Sequence, residues 1–363
     1  MLIHSLRRGG AERVCLELAS RLIQRGDVVE VAAWVDVDEY PEPNYQGIKR
    51  HYLMPHSDYR WVRSIPGSAR RLCSLVNAFR PDVIEIHTPN VAWLAAWARL
   101  DMPCVHVLHG YGDITYAGSI KALVYKILAR RAHQQLKPII ITVSSSMRPV
   151  AAHYFGIKED DIRIVVNGVD LSMFSAVACQ PVFPPKIIMI GTLCSNKGQV
   201  LGIEAFRLLL EAQPDATLVI VGDGTDMPRL RGLVNDYILI NKVKLLGCRS
   251  DVAALLANAH VLWQLSHSEA MPMVVLEAMS MGIPVVGFDV RGTRDAVQTG
   301  ETGHLVPYGD VKAIAQTTIT LLSNGQARDT ISRQARRRAE SYFGLDTMVD
   351  NHRQVLTAAK RRS

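Results

Sequence analysis

Two glutamates eight residues apart, Glu269 and Glu277, carry the sharpest chemical signal in this chain. Pro272 stands between them, and proline favours the start of a helix. Glu269 therefore falls in the loop before that helix and Glu277 inside it. Glu277 is flanked by Val274, Val275, Leu276, Ala278 and Met279, and a glutamate in so apolar a helix is rarely just solvated. Carboxylates in two such places accept hydrogen bonds from ligand hydroxyls. The helix start beside them favours a phosphate, through its free N–H groups and partial positive charge. A second signal is Lys197, set between Gly191 and Gly198 at another strand-to-helix turn. A lysine there puts a point charge where a diphosphate would lie, although the order of a P-loop is absent. Gly9 with Gly10, and Gly222 with Gly224, mark two more turns at which the backbone can approach a ligand. His109 ends an apolar strand and precedes Gly110 and Gly112. Strand ends are where α/β domains carry function.

These residues need strands and helices in alternation to position them, and the hydrophobic pattern supplies it. Residues 2–6 predict a strand, and Val14, Leu18, Ala19 and Leu22 predict a helix that Gly26 stops. Strands follow at 28–35, 82–87, 105–108 and 139–143. Residues 174–186 hold three prolines and one charge, which predicts a linker rather than a helix. The alternation then restarts, with strands at 186–190, 217–221, 243–246, 260–264 and 284–288. Helices are expected at 200–210, 227–239, 252–256 and 273–281, then at 310–323, 326–342 and 346–361. The expected organisation is an α/β chain with two facing Rossmann-like domains and a ligand cleft at the carboxyl ends of the strands. Its domains are 1–173 and 187–342, joined by 174–186, with a last helix in 343–363 that packs back on the first domain.

Composition narrows the class. Hydrophobic residues are 48% and charged residues 21%, which excludes a disordered chain. No run reaches the roughly 18 to 20 apolar residues of a spanning helix, and the first ten residues do not read as a signal peptide. A soluble cytoplasmic protein is expected. Six cysteines without a C-x-x-C pair indicate neither a zinc knuckle nor a disulfide framework. The net charge of +7 gathers in three clusters, at 60–80, 121–137 and 333–338, and points to an anionic partner. Nucleic acid is not expected, because no aromatic stacking run or recognised module accompanies the charge.

Taken together, these motifs resemble glycosyltransferase family 4, retaining sugar transferases of the GT-B fold. The matching pieces stand in family order: GGAER near the start, HG at 109–110, VVNGVDLSMF at 165–174, and G-x5-KG from Gly191 to Gly198. VGDG, the E-x7-E pair with AMSMGIPVV, and RGTRDAVQTGETGHLV at 291–306 follow. The resemblance implies a nucleotide-sugar donor and needs no metal or cofactor. It implies that Glu277 binds ribose and that Glu269 binds the donor sugar, helped by N–H groups around Ala270, Met271, Pro272 and Met273. Lys197 then neutralises the leaving diphosphate, which Gly9 and Gly10 also approach, and His109 reaches the sugar. Gly191, Thr192, Gly222, Gly224 and Arg249 complete the implied donor site. His109, Glu269 and Lys197 are the implied catalytic residues. One position departs from the pattern: Thr192 stands where the family usually has arginine, and Arg291 or Arg294 is the candidate to compensate.

The implied activity is hexosyl transfer from a UDP- or GDP-sugar to a saccharide or lipid-linked saccharide in cell-surface polysaccharide or glycolipid synthesis. Two other readings use the same residues: an idle nucleotide-binding or partner subunit, motivated by Thr192, and a nucleotide-sugar epimerase. An epimerase needs a second acid–base carboxylate pair, and none can be assigned. Residues 120–132 add a membrane expectation. Ile120, Leu123, Val124, Ile127 and Leu128 share one face, with Lys121, Lys126 and Arg130 elsewhere. Such a helix can lie on an acidic membrane, which suggests peripheral contact at the inner face of the cytoplasmic membrane.

Overall fold

A computed structural model describes residues 1–40, 45, 47–58, 61–110, 120–175 and 184–361. Gly112 and Asp113, and most of the expected linker, lie outside the described residues. The described chain divides into two compact units, 1–168 with 345–363, and 169–344.

The first unit runs β1 (Leu2–Ile3), α1 (Gly10–Gln24), β2 (Glu30–Asp36), β3 (Lys49–Pro55), α2 (Trp61–Phe79) and β4 (Ile84–Ile86). It continues with α3 (Pro89–Trp97), β5 (Cys104–Leu108), α4 (Ile120–Leu136), β6 (Ile139–Thr142), α5 (Arg148–Phe155) and β7 (Ile162–Ile164). Its strands form one sheet in the order β3-β2-β1-β4-β5-β6-β7, with every pair parallel. The second unit runs β8 (Lys186–Ile190), α6 (Gln199–Ala212), β9 (Thr217–Val221), α7 (Met227–Asp236), β10 (Val243–Leu245) and α8 (Val252–Ala257). After these come β11 (Val261–Gln264), α9 (Met273–Ser280), β12 (Val285–Phe288), α10 (Thr293–Ala296), β13 (Gly303–Val306), α11 (Val311–Ser323) and α12 (Gly325–Tyr342). Its sheet order is β10-β9-β8-β11-β12-β13, again all parallel. The chain then returns to the first unit as α13 (Leu345–Lys360).

Both sheets are doubly wound, and each reverses its strand order beside its first strand. The switch points lie between β1 and β4 and between β8 and β11, where α/β sheets open a crevice for ligands. Helices cover both faces, so central strands such as β5 and β6 are buried at every residue. Trp263, Phe206 and Phe288 fill the core of the second unit.

The chain leaves the first unit at Gly168, earlier than the expected boundary after residue 173. Residues 169–174 are tied to the second unit instead. The Val169 N–H donates to the Phe343 carbonyl at 2.8 Å, and Phe174 is fully buried with its carbonyl bonded to Arg336 at 3.0 Å. On its return, α13 is pinned to the first unit by a buried contact of 2.7 Å between His352 Nδ1 and Glu85 Oε1. Arg25 adds ion pairs to Asp346 and Asp350.

The basic clusters turn out to be partly structural. Arg336 bonds the Ser280 and Phe174 carbonyls, Arg338 those of Ala296 and Asp295, and Arg130 those of Tyr154 and His153. Arg71 bonds the Leu53 carbonyl. These guanidiniums satisfy backbone acceptors left at helix ends, in loops and on the edge strand β3.

Candidate active site

In the second unit the predicted residues gather at the switch point. The loop after β8 carries Gly191 and Thr192, and a short turn at Ser195–Lys197 then leads into α6. The loop after β11 carries Glu269 and leads into α9. The two loops meet through one ion pair: Lys197 Nζ lies 2.6 Å from Glu269 Oε1. Gln264, the last residue of β11, donates through Nε2 to the same oxygen at 2.9 Å and to Ser266 Oγ at 2.9 Å. Asn196 stitches the loops further, because its carbonyl accepts the His267 N–H and its side chain donates to the Ser268 carbonyl. Oε1 thus carries two donors, while Oε2 of Glu269 has no hydrogen-bond partner among the described residues.

Glu277 follows on α9, only 3% exposed among buried neighbours. The α9 start is built as the sequence predicts. Pro272 caps it with extended backbone, and the first N–H groups, of Met273 and Val274, precede the first intrahelical bond. Ala270 and Met271 are buried beneath this turn.

Close backbone packing holds the glycine turns in place. A Cβ on Gly222 would collide with the Gly191 carbonyl, so the turn after β9 is pressed against the turn after β8. Gly224 lies in the same way against Leu193. Gly292 does this for the glutamate loop. It sits at φ +78° before α10, and a Cβ there would meet the carbonyls of both Glu269 and Ala270.

The arginines divide. Arg249 forks onto Asp251 at 2.8 and 2.7 Å, a local pair on the surface. Arg294 is held by Asp289 at 2.6 Å. Arg291 is exposed and adjoins Gly292, next to the glutamate loop. Thr192 is exposed, and its carbonyl accepts from Gln199 at 3.1 Å.

In the first unit, Gly9 caps α1, and its N–H donates to the Tyr40 hydroxyl at 3.0 Å. That hydroxyl donates back to the Gly9 carbonyl at 2.8 Å. The Glu12 carboxylate lies over the Cα of Gly9, and burial raises its carboxyl above the usual range. The N–H groups left for a ligand at this helix start are those of Gly10 and Ala11. His109 follows β5 and meets His87 from the end of β4, with Nε2 of His109 2.9 Å from Nδ1 of His87. Burial, with His352 and His106 close by, lowers His109 to about 3. His109 is therefore a neutral imidazole at physiological pH.

The structure thus joins Lys197 to Glu269, sets Glu277 on the following helix, and packs the turn of Gly222 onto that of Gly191. It leaves Arg249 in a local pair. Sequence reasoning missed Gln264, Asn196, Tyr40 and His87. Gln264 had a readable signal, since it is a polar residue ending an otherwise apolar strand, whereas His87 ends a strand that already carries Glu85. Asn196 and Tyr40 had none.

Known proteins share this pattern. The family described as Glycosyltransferase Family 4 matches residues 8–173, and the one described as Glycosyl transferases group 1 matches residues 180–338. Glycogen synthase of Mycobacterium tuberculosis is 29% identical over 78% of this chain and 70% of its own. The UDP-Gal:alpha-D-GlcNAc-diphosphoundecaprenol alpha-1,3-galactosyltransferase of Escherichia coli is 27% identical, over 77% of this chain and 76% of its own. Among solved structures, Anabaena HepE in complex with UDP-glucose superposes with a TM-score of 0.81 over 98% of this chain and 99% of its own, at 20% identity. At that identity the likeness is one of fold. With one family match over each half and two doubly wound parallel sheets, the chain belongs to the GT-B glycosyltransferases of the family 4 type.

Proposed function

We propose that the chain is a retaining, metal-independent hexosyltransferase that moves a sugar from a UDP-sugar to a saccharide or lipid-linked saccharide. The observation that carries this reading is the Lys197–Glu269 pair at the β8–β11 switch point, with Glu277 buried on the helix that follows. Breaking the bond between the sugar and the diphosphate builds negative charge on the leaving group. Lys197 and the N–H groups that open α6 and α9 meet that charge, and charge met where it develops lowers the barrier. Glu269 takes sugar hydroxyls on Oε2, and Gln264 keeps its other oxygen engaged. Glu277 accepts from ribose hydroxyls. His109, being neutral, binds the sugar without adding charge. Retention follows the family reading, in which the acceptor attacks from the face the leaving group departs. The UDP preference is supported by HepE, which holds UDP-glucose, and by the galactosyltransferase, whose name specifies UDP-Gal.

The test is UDP release from a panel of UDP- and GDP-sugars, with lipid-linked and soluble saccharide acceptors. Acceptor-dependent release from one UDP-sugar, unchanged by EDTA, is expected. Release that EDTA abolishes contradicts metal independence, and turnover with GDP-sugars alone contradicts the donor assignment.

Membrane docking belongs to the same reading. On α4, Leu123, Val124 and Ile127 are 60%, 44% and 43% exposed, while Ala129, Ala132 and Leu136 face the core. The side chains of Ile120 and Lys121 lie outside the described residues. An exposed apolar ridge on a helix with basic neighbours fits the surface of an anionic bilayer. Among the described residues no helix is long and apolar enough to cross a membrane. Placement at the inner face of the cytoplasmic membrane is part of this proposal. Exchanging Leu123 and Ile127 for serine is expected to weaken binding to anionic vesicles at least tenfold. Equal binding by variant and parent, or equal binding to neutral and anionic vesicles, overturns it.

A further inference from the structure

Gln264 closes β11, a strand buried at all of its residues. Its register partner on β12 is Gly287. A Cβ at Gly287 would stand 2.6 Å from the Gln264 carbonyl oxygen and 3.2 Å from the Gln264 Cβ, so the glycine leaves the glutamine its room. Gln264 is 5% exposed and donates through Nε2 twice, to Ser266 Oγ and to Glu269 Oε1, each at 2.9 Å. Its amide has one workable orientation. Turned over, it would set its own carbonyl oxygen against a carboxylate oxygen, and neither atom can donate.

One oxygen of Glu269 is thereby saturated. A carboxylate oxygen offers about two lone-pair sites. On Oε1, Gln264 takes one and Lys197 Nζ, at 2.6 Å, takes the other. A ligand acts differently on these two donors. The Lys197 side chain is 30% exposed, and a diphosphate competes with Glu269 for its ammonium. The Gln264 amide is neutral and buried, and an anion has little pull on it. Gln264 therefore keeps Oε1 engaged whether or not Lys197 stays there. A carboxylate with both oxygens open can grip two neighbouring hydroxyls, one on each oxygen. With Oε1 occupied that grip is closed, and the ligand meets Oε2 alone.

We propose that Gln264 is a positioning residue that sets specificity. By holding Oε1 it limits Glu269 to a one-oxygen contact, so that Glu269 reads a single hydroxyl of the sugar rather than two neighbouring ones. The sugar as ligand rests on the glycosyltransferase reading, whereas the occupancy of Oε1 does not. Without the Gln264 donor, Oε1 is open whenever Lys197 turns to the diphosphate, and a second hydroxyl comes under the control of Glu269.

The test is calorimetric binding of UDP, of the UDP-sugar that binds best, and of its monodeoxy analogues, to the whole chain, Glu269→Ala and Gln264→Met. A hydroxyl read by Glu269 is one whose removal weakens binding to the parent at least tenfold, the worth of a hydrogen bond to a charged group, and matters little in Glu269→Ala. The parent is expected to show one such hydroxyl. Gln264→Met keeps the length of the side chain and removes the donor. In it a neighbouring hydroxyl should become coupled to Glu269 as well, while UDP, which carries no sugar, binds within about twofold of the parent. Two neighbouring hydroxyls coupled to Glu269 in the parent overturn the proposal, as does a coupling pattern unchanged in Gln264→Met. A loss of UDP affinity in Gln264→Met as large as the loss for the UDP-sugar marks a merely structural role and overturns it too. If Gln264→Met does not fold, which circular dichroism shows, the parent and Glu269→Ala series still decides. A parent that binds no UDP-sugar overturns the glycosyltransferase reading and this proposal with it, whereas the wrong coupling in a binding parent overturns the proposal alone.

Discussion

At the scale of single residues, the proposed donor site is a matter of where charge is held. Lys197 is fixed by Glu269, and Glu269 is fixed by Gln264, so the ammonium is oriented before any ligand arrives. Preorganised charge of this kind contributes most when the transition state develops the opposite charge. Lys197→Ala is accordingly expected to lower kcat about a hundredfold. Thr192 leaves the site one cation short of the family pattern, and the two neighbouring arginines are not equivalent. Arg294 is engaged by Asp289, while Arg291 stands exposed beside the glutamate loop. Arg291→Ala should therefore reduce turnover clearly, and Arg294→Ala should not. The reverse order in steady-state kinetics contradicts this assignment. The places of Glu269 before α9, of Glu277 within it and of Lys197 at the turn into α6 were legible because Pro272 and the flanking glycines mark those helix starts. Gln264, Asn196 and Tyr40 were not, since an amide or a phenol acts here only through a partner that folding brings to it.

At the scale of elements, each functional loop is fixed by a neighbouring loop. The glutamate loop is bounded by Asn196 on one side and by Gly292 on the other. Alanine at 292 must adopt a left-handed backbone and also displace two carbonyls, so Gly292→Ala is expected to cost about 2 kcal/mol or more. It should also shift Glu269 and lower activity, whereas Gly300→Ala, at a similar φ in open space, should lower stability alone. Thermal unfolding and turnover of the two variants separate the effects, and equal activity in both contradicts the packing account. Strands buried on both faces, such as β8 and β9, were read at their full extent because continuous apolar runs between turn residues leave little choice. Elements of mixed polarity escaped. Strand β3 reads KRHYLMP, and its Arg50 and His51 find Asp38 and Glu30 only across the fold. Helix α2 carries Pro66 and a run of arginines, and α3 is too apolar to show a helical period.

At the scale of the whole molecule, the chain crosses between its units twice: the return of the last helix agrees with the sequence reading, whereas the outward crossing comes at Gly168, before the expected boundary. Residues 169–174 look like the end of one domain but pair with the end of the other, through Phe343 and Arg336. The first unit also carries a charge history of its own. Burial lowers both His106 and His109 to about 3, and His87 in the same direction. The unfolded chain takes up these protons below about 6.5, whereas in the folded unit His106 and His109 do so only at about 3, and His87 well below the ordinary range. Stability is therefore lost as pH falls through that window, by about 1.4 kcal/mol per pH unit for each histidine. Glu12, raised by burial, offsets a part. The urea midpoint of the first unit should drop between pH 7 and pH 5, and a constant midpoint contradicts the buried neutral histidines. The claim on which the rest depends is that the second unit binds a nucleoside diphosphate through Glu277 and Lys197. Calorimetric titration of the purified protein with UDP, GDP and ADP tests it most directly, with Glu277→Ala beside the parent. The account predicts selective binding of UDP that is lost in the folded variant. No binding of any nucleotide by the parent, or undiminished binding by the variant, would contradict it.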